Sequence, residues 1–202
     1  MPRRLAMSVL TGGLVEAKQH EDAVSVMEAD LAMMRRLGAS EEDMLVVQGN
    51  IANSYHMLGR DEEALQMRRD VYSGWLELFG EEHRDTLKDA FNYAVSLVGL
   101  RRFEEAKSLL RKTIPVARRV IGDGHILTLK MRKVYAKALF FDGSATLDDL
   151  REAVTTLEDA ERIARRVFGG AHPLTSAIED ELRDARAVLH AREPSPGSAP
   201  SS

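Results

Sequence analysis

Phe79-Gly80-Glu81-Glu82-His83-Arg84-Asp85-Thr86-Leu87 decides how this sequence is read, because its pattern returns twice further along the chain. The later copies are Ile121-Gly122-Asp123-Gly124-His125-Ile126-Leu127-Thr128-Leu129 and Phe168-Gly169-Gly170-Ala171-His172-Pro173-Leu174-Thr175. Gly80 and Gly122 lie 42 residues apart and Gly122 and Gly169 lie 47 apart, and the histidines and threonines keep the same intervals. A period of this length marks stacked supersecondary units rather than one irregular core.

Working outward, a second landmark precedes each glycine by 16 residues: Ala64 after Glu62-Glu63, Ala106 after Glu104-Glu105, and Ala153 after Arg151-Glu152. Glu21-Asp22-Ala23 before Gly38 is an earlier copy, one residue shorter. Between landmarks the apolar residues recur at helical spacing, as in Ala64, Met67, Val71, Trp75 and Leu78, or Ala106, Leu109, Leu110, Ala117, Val120 and Ile121. These are second helices. First helices are expected over Glu41–Leu58, Thr86–Leu100 and Leu127–Phe141, with Ala52, Ala94 and Ala136 allowing close approach of paired helices.

Gly38, Gly80, Gly122 and Gly169 fall where a helix ends at positive φ. Ser40 with Asp43, and Thr146 with Asp149, read as helix starts. The five extra residues of the third copy fall in Asp142–Leu150, where a longer connection costs little. Pro115 lies inside a second helix and removes one backbone bond there. Pro173 opens a last helix to about Ala191, and the Pro/Ser/Gly-rich stretch 193–202 has nothing to bury and is expected to be disordered. The predicted architecture is all-α: an α-α superhelix of about four helix-turn-helix repeats over 1–192 (about 3–38, 41–80, 85–122 and 127–169) with a capping helix at 173–191. Other helical repeats of 40 to 47 residues, such as HEAT units, remain the alternative fold.

These features resemble the tetratricopeptide (TPR) repeats of kinesin light chains and related proteins, whose units of ~42 residues exceed the usual ~34. The resemblance rests on Gly80, His83, Thr86, Leu87, Asn92 and Ala94 with Glu105 and Ala106. It rests equally on Asn50, Ala52, Tyr55, Gly59, Arg60, Glu63 and Ala64, on Gly122, His125, Thr128 and Leu129, and on His172-Pro173-Leu174-Thr175. Asp61 stands at the family's tyrosine position, and Val134 replaces the asparagine of the third first-helix.

The resemblance implies a concave groove lined by the first helices, with polar contacts at Asn50 and Asn53, at Lys88 and Asn92, and at Lys130, Lys133 and Lys137, and with His56, one turn along, adding apolar or aromatic contact. The three last-named lysines also stand out physically. Spaced three and then four residues apart, they share one helical stripe and repel one another unless an anion or solvent relieves them. Asparagine can pair with a peptide backbone and lysine with carboxylates, so the expected ligand is an extended acidic segment of a protein. The alternative is a solvated lysine face. A carboxylate clamp of the chaperone-binding kind would use Asn53, Asn92 and Lys130, but Gly49 and Val134 stand where it needs a lysine and an arginine. Phe140 and Phe141 could add apolar contact or pack in the core.

Other chemistry finds no support. With no cysteine, a disulfide framework, a thiolate metal site and a cysteine nucleophile are all excluded. The repeating histidines are one helix pair apart, too far to share a metal, and read as residues that end one repeat and start the next. No phosphate loop, nucleophile elbow or His-Glu-x-x-His motif occurs, so no enzyme activity, cofactor or metal is expected. Net charge is a modest −4 with both signs interspersed, which argues against nucleic acid, and no stretch approaches a membrane span. Met1–Val15 carries two arginines but no long apolar run, and reads as the start of the first repeat rather than a targeting segment. A cytoplasmic adaptor or scaffold is the leading reading. The second is a regulatory or assembly module of a larger signalling or transport complex, acting through its convex face or self-association.

Overall fold

The structure, a computed structural model, describes residues 20–193. The opening stretch Met1–Val15, the first helix of the first expected repeat, and residues 194–202 lie outside the described part. The described residues form eight α-helices and no strand: α1 (His20–Arg36), α2 (Glu41–Met57), α3 (Asp61–Phe79), α4 (Arg84–Gly99), α5 (Phe103–Ile121), α6 (Ile126–Phe140), α7 (Leu147–Phe168) and α8 (Pro173–Arg192). The three expected first helices are α2, α4 and α6, each beginning and ending within two residues of its predicted bounds.

The chain divides into two compact units between Ser96 and Leu97, within α4. In the first, α2 packs against α1 and α3. Ala23, Val24, Met27 and Leu31 of α1 meet Ile51 and Tyr55 of α2 and Ala64 of α3, while Leu45 packs with Val71 and Trp75. Gly74 permits that second contact: a methyl group there would come within 2.6 Å of Leu45. In the second unit, α6 packs against α5, α7 and α8, and α7 packs against α8. Being covered by three neighbours, α6 is the most deeply buried first helix: Leu129, Met131, Ala136, Ala138 and Leu139 are fully enclosed.

The motif that opened the sequence reading builds the joints. Gly122 and Gly169 end α5 and α7 at φ values of 93° and 86°, which only glycine adopts without strain. Three residues on, His125 and His172 cap the next helix, each Nδ1 accepting the amide two residues later (Leu127 and Leu174, both 3.1 Å). The buried hydroxyls of Thr128 and Thr175 then donate back to the carbonyls of Gly122 and Gly169, at 2.8 and 2.9 Å. The first-unit joint is a variant. There His83 stacks on Trp75 and Phe79, and the Thr86 hydroxyl donates to the Trp75 carbonyl at 3.2 Å. The repeating histidines therefore act as helix caps, as the sequence suggested. Thr128→Val keeps the shape and removes the donor, and is expected to lower stability by about 1 kcal/mol in urea denaturation.

Both helix starts named from sequence are capped: Ser40 accepts the Asp43 amide at 3.2 Å, and Thr146 forms a reciprocal capping box with Asp149. Helix α5 runs through Pro115 from Phe103 to Ile121.

Candidate functional site

Helix periodicity sorts the outward residues of α2. Val46, Asn50, Asn53 and Met57, spaced four, three and four, form one stripe, and all four are exposed, Val46 by 52% and Met57 by 61%. A pair of amides is thus bracketed by two accessible apolar groups. His56 lies beside the stripe with Nδ1 2.6 Å from the Asp61 carboxylate at the start of α3. Forty-two residues later the same register on α4 carries Lys88, Asn92 and Val95. Lys88 is exposed and has no carboxylate partner among the described residues.

Beneath these two stripes sits a residue the sequence reading passed over, Arg68 of α3. It is only 8% exposed, and its guanidinium reaches both first helices of the unit. Nη1 donates to the Asn92 carbonyl (3.0 Å) and the Ser96 hydroxyl (2.8 Å) of α4, and Nη2 donates to Asn53 Oδ1 (3.1 Å) of α2. Every acceptor is neutral, and buried Nε has no partner among the described residues. Burial lowers the pKa of this guanidinium, an effect opposed by the more distant charges of Asp89 and Asp61.

These bonds settle how the two asparagines face outward. A guanidinium only donates, so Asn53 must turn its oxygen to Arg68 and leave its NH2 group as the outward donor. Asn92 is turned the other way, its Nδ2 donating to Asp89 Oδ1 at 3.0 Å, which frees its oxygen. Burial pushes the Asp89 carboxyl up. Asn53 and Asn92, named separately from sequence, are thus linked through one buried cation. Asn53→Asp would give Arg68 the carboxylate it lacks. The expected result is a gain of about 1 kcal/mol in urea denaturation at neutral pH, the difference between a charged and a neutral hydrogen bond, lost once the new acid is protonated.

In the second unit the lysines of α6 do not behave alike. Lys130 is exposed and Lys133 half-buried, and neither has a carboxylate partner among the described residues. Lys137 is engaged: Nζ lies 3.2 Å from Glu181 Oε1 on α8 and 5.0 Å from the centre of the Phe141 ring. The stripe is held outward by the opposite side of α6. There, buried Arg132 donates to the Thr156 carbonyl at 3.3 Å and lies 3.7 Å from Asp159. The Tyr135 hydroxyl joins Arg111 and Glu152, and burial together with the bond to Glu152 pushes it up to about 12. Phe140 packs in the core, whereas Phe141 remains exposed. Val134, at the register position of Asn50 and Asn92, is buried and offers no polar contact.

Both omissions left a trace in the sequence. Arg68 is four residues after Ala64 and three before Val71, a charge on the apolar face of a second helix. Glu181 lies 47 residues after Val134, as Val134 lies 42 after Asn92 and Asn92 42 after Asn50, so it holds the same register position in the last copy.

No helix among the described residues is long and apolar enough to cross a membrane. The tetratricopeptide repeat family model matches residues 43–119. Among curated proteins, the clustered mitochondria protein homolog of Emericella nidulans is 25% identical over 155 residues, covering 77% of this chain and 12% of its own length. That of Ajellomyces capsulatus is 24% identical over 168 residues, covering 83% and 13%. The chain therefore spans only about an eighth of the curated relatives it matches. Among solved structures, a singly substituted form of a Podosopora anserina protein of kinesin-light-chain type, with nearly identical TPR-like repeats, superposes with a TM-score of 0.80. It is 22% identical, and the match covers 94% of this chain and 88% of that one. BtubC (BKLC) from P. vanneervenii gives a TM-score of 0.70 at 17% identity, covering 97% and 84%. Repeats of this kind typically bind proteins or peptides. Residues 43–119 thus match the tetratricopeptide repeat, and the fold of the chain is the all-α tetratricopeptide type of the kinesin-light-chain-like structure on which it superposes.

Proposed function

We propose that this chain is an adaptor or scaffold that holds an extended acidic segment of a partner protein against the outward faces of its first helices. Each unit is taken by itself: the first offers Asn50, Asn53, His56, Lys88 and Asn92, and the second Lys130, Lys133 and Lys137. One observation carries this reading: the cations on or under these faces exceed the carboxylates that meet them. Lys88, Lys130 and Lys133 make no ion pair among the described residues, and the hydrogen-bond acceptors of buried Arg68 are all neutral. Cations that lack a paired carboxylate favour a ligand that brings one. The amides of Asn53 and Asn92, one turned to donate and the other to accept, suit the two hydrogen-bonding groups of a peptide unit. Exposed Val46, Met57 and Val95 give its side chains apolar ground.

The test is affinity capture from lysate with the wild type beside the double charge reversal Lys130→Glu and Lys133→Glu. Partners captured by the wild type are expected to be lost. Undiminished capture by the variant, whose helical content is checked by circular dichroism, would refute groove binding through α6.

A second reading is favoured by the length of the curated relatives, of which this chain matches about an eighth. On this reading the chain acts as a regulatory or assembly module of a larger complex through its other faces. Capture that survives the lysine reversal supports this reading.

A further inference from the structure

Lysine stripes are ordinarily solvated, yet this one already holds a carboxylate. Glu181 reaches Lys137 from α8, which lies alongside α6 in the second unit, and the acid is nearly enclosed, its side chain 13% exposed. Its register makes this informative. The same position carries Asn50 on α2, Asn92 on α4 and Val134 on α6, so α8 places an anion where each earlier copy places a neutral side chain. Asp184, one turn further, is exposed and takes the register position of Asn53, Val95 and Lys137.

We propose that α8 is a built-in competitor for the α6 stripe: Glu181 occupies Lys137 as a partner's carboxylate would, leaving Lys130 and Lys133 as the vacant seats. This inference rests on the acidic-segment reading and adds its regulation. An arriving acidic segment engages Lys130 and Lys133 first and gains Lys137 only by displacing Glu181. The same acid repels a ligand carboxylate that approaches α8, so acidic side chains are favoured over α6 and disfavoured over the last helix. The Lys137 contact to the Phe141 ring keeps the ammonium at this place whichever carboxylate pairs with it.

The probe is a fluorescein-labelled oligoglutamate of about twelve residues, titrated by anisotropy into the full chain at low salt, where exposed charge pairs are least screened. Glu181→Gln is expected to tighten binding by about three- to fivefold, the range of one partly exposed ion pair. Asp184→Asn makes the same charge change on the same helix without touching Lys137, and is expected to give less than half that gain. Adding Lys137→Met to Glu181→Gln is expected to abolish the gain. Equal effects of the Glu181 and Asp184 variants, or a gain that persists without Lys137, overturn the competition. If Lys130→Glu with Lys133→Glu weakens the probe while Glu181→Gln changes nothing, the competition fails and the acidic-segment reading stands. If neither the wild type nor Glu181→Gln binds the probe, both fall.

Discussion

Truncating Leu139 to alanine is expected to lower stability by about 3 kcal/mol, the cost of removing a fully buried leucine where the surroundings cannot close the space. Leu139 has no exposed surface and belongs to α6, which α5, α7 and α8 enclose on three sides. No one of these neighbours can follow the lost side chain without leaving the others, so relaxation is poor and the cavity persists. Urea denaturation followed by circular dichroism measures the loss. A change below about 1 kcal/mol would mean that α6 is not clamped as its burial indicates. Because Lys130, Lys133 and Lys137 ride on this helix, the same substitution is expected to weaken acidic ligands beyond what the fall in folded fraction explains.

Lys107→Met is expected to cost about 2 kcal/mol, the loss of hydrogen bonds between charged groups at a half-enclosed site where Asp142 keeps its bonds from Ser144. Lys107 is buried in α5, its side chain 5% exposed, and its ammonium lies 3.2 Å from Asp142, itself 12% exposed, and 2.5 Å from the exposed Glu104. Burial alone would lower the lysine's pKa, but the bonds to Glu104 and Asp142 outweigh it and the net shift is upward. Asp142 is held down to about 2, first by the Ser144 hydroxyl and amide and then by Lys107. A depressed carboxyl contributes stability that is fully present above its unfolded value of 3.8 and is lost as pH falls toward about 2. The wild type should therefore lose stability across that acid window. The Lys107→Met chain should lose less, because one cause of the depression is gone while Ser144 remains. Denaturant midpoints at neutral pH and through the acid window check both statements, and parallel acid limbs would rule out the coupling.

The two contacts that matter most to the site also mark where sequence reading stopped. The repeat, the helix starts at Ser40 and Thr146 and the joints at Gly122 and Gly169 were legible because each depends on residues a few positions apart. The family resemblance, carried along the repeat, places Asn50, Asn53, Lys88 and Lys130 on the first helices' outward face, and all four are exposed. Arg68 and Glu181 could not be assigned roles that way. Arg68 meets Asn53 15 residues earlier and Asn92 24 later, and Glu181 meets Lys137 44 residues away. Such pairings arise only when separate helices are packed together, and no periodic pattern along one helix encodes them. For the same reason the α6 lysines looked like three equal charges, although one of them is already neutralised by α8. The long connection at Asp142–Leu150 looked like a passive insertion. It is tied down instead, by Lys107 from one side and by Arg192 of α8, which donates to the carbonyls of Gly143 and Ala145, from the other.

The joints have a consequence for redesign. Each is closed by a glycine, a histidine and a threonine within seven consecutive positions, and none of the three belongs to the outward stripe of the helix it starts. Substitutions along the stripe therefore leave the hinge residues untouched, and one hairpin can be resurfaced without redrawing the bonds that fasten it to the next.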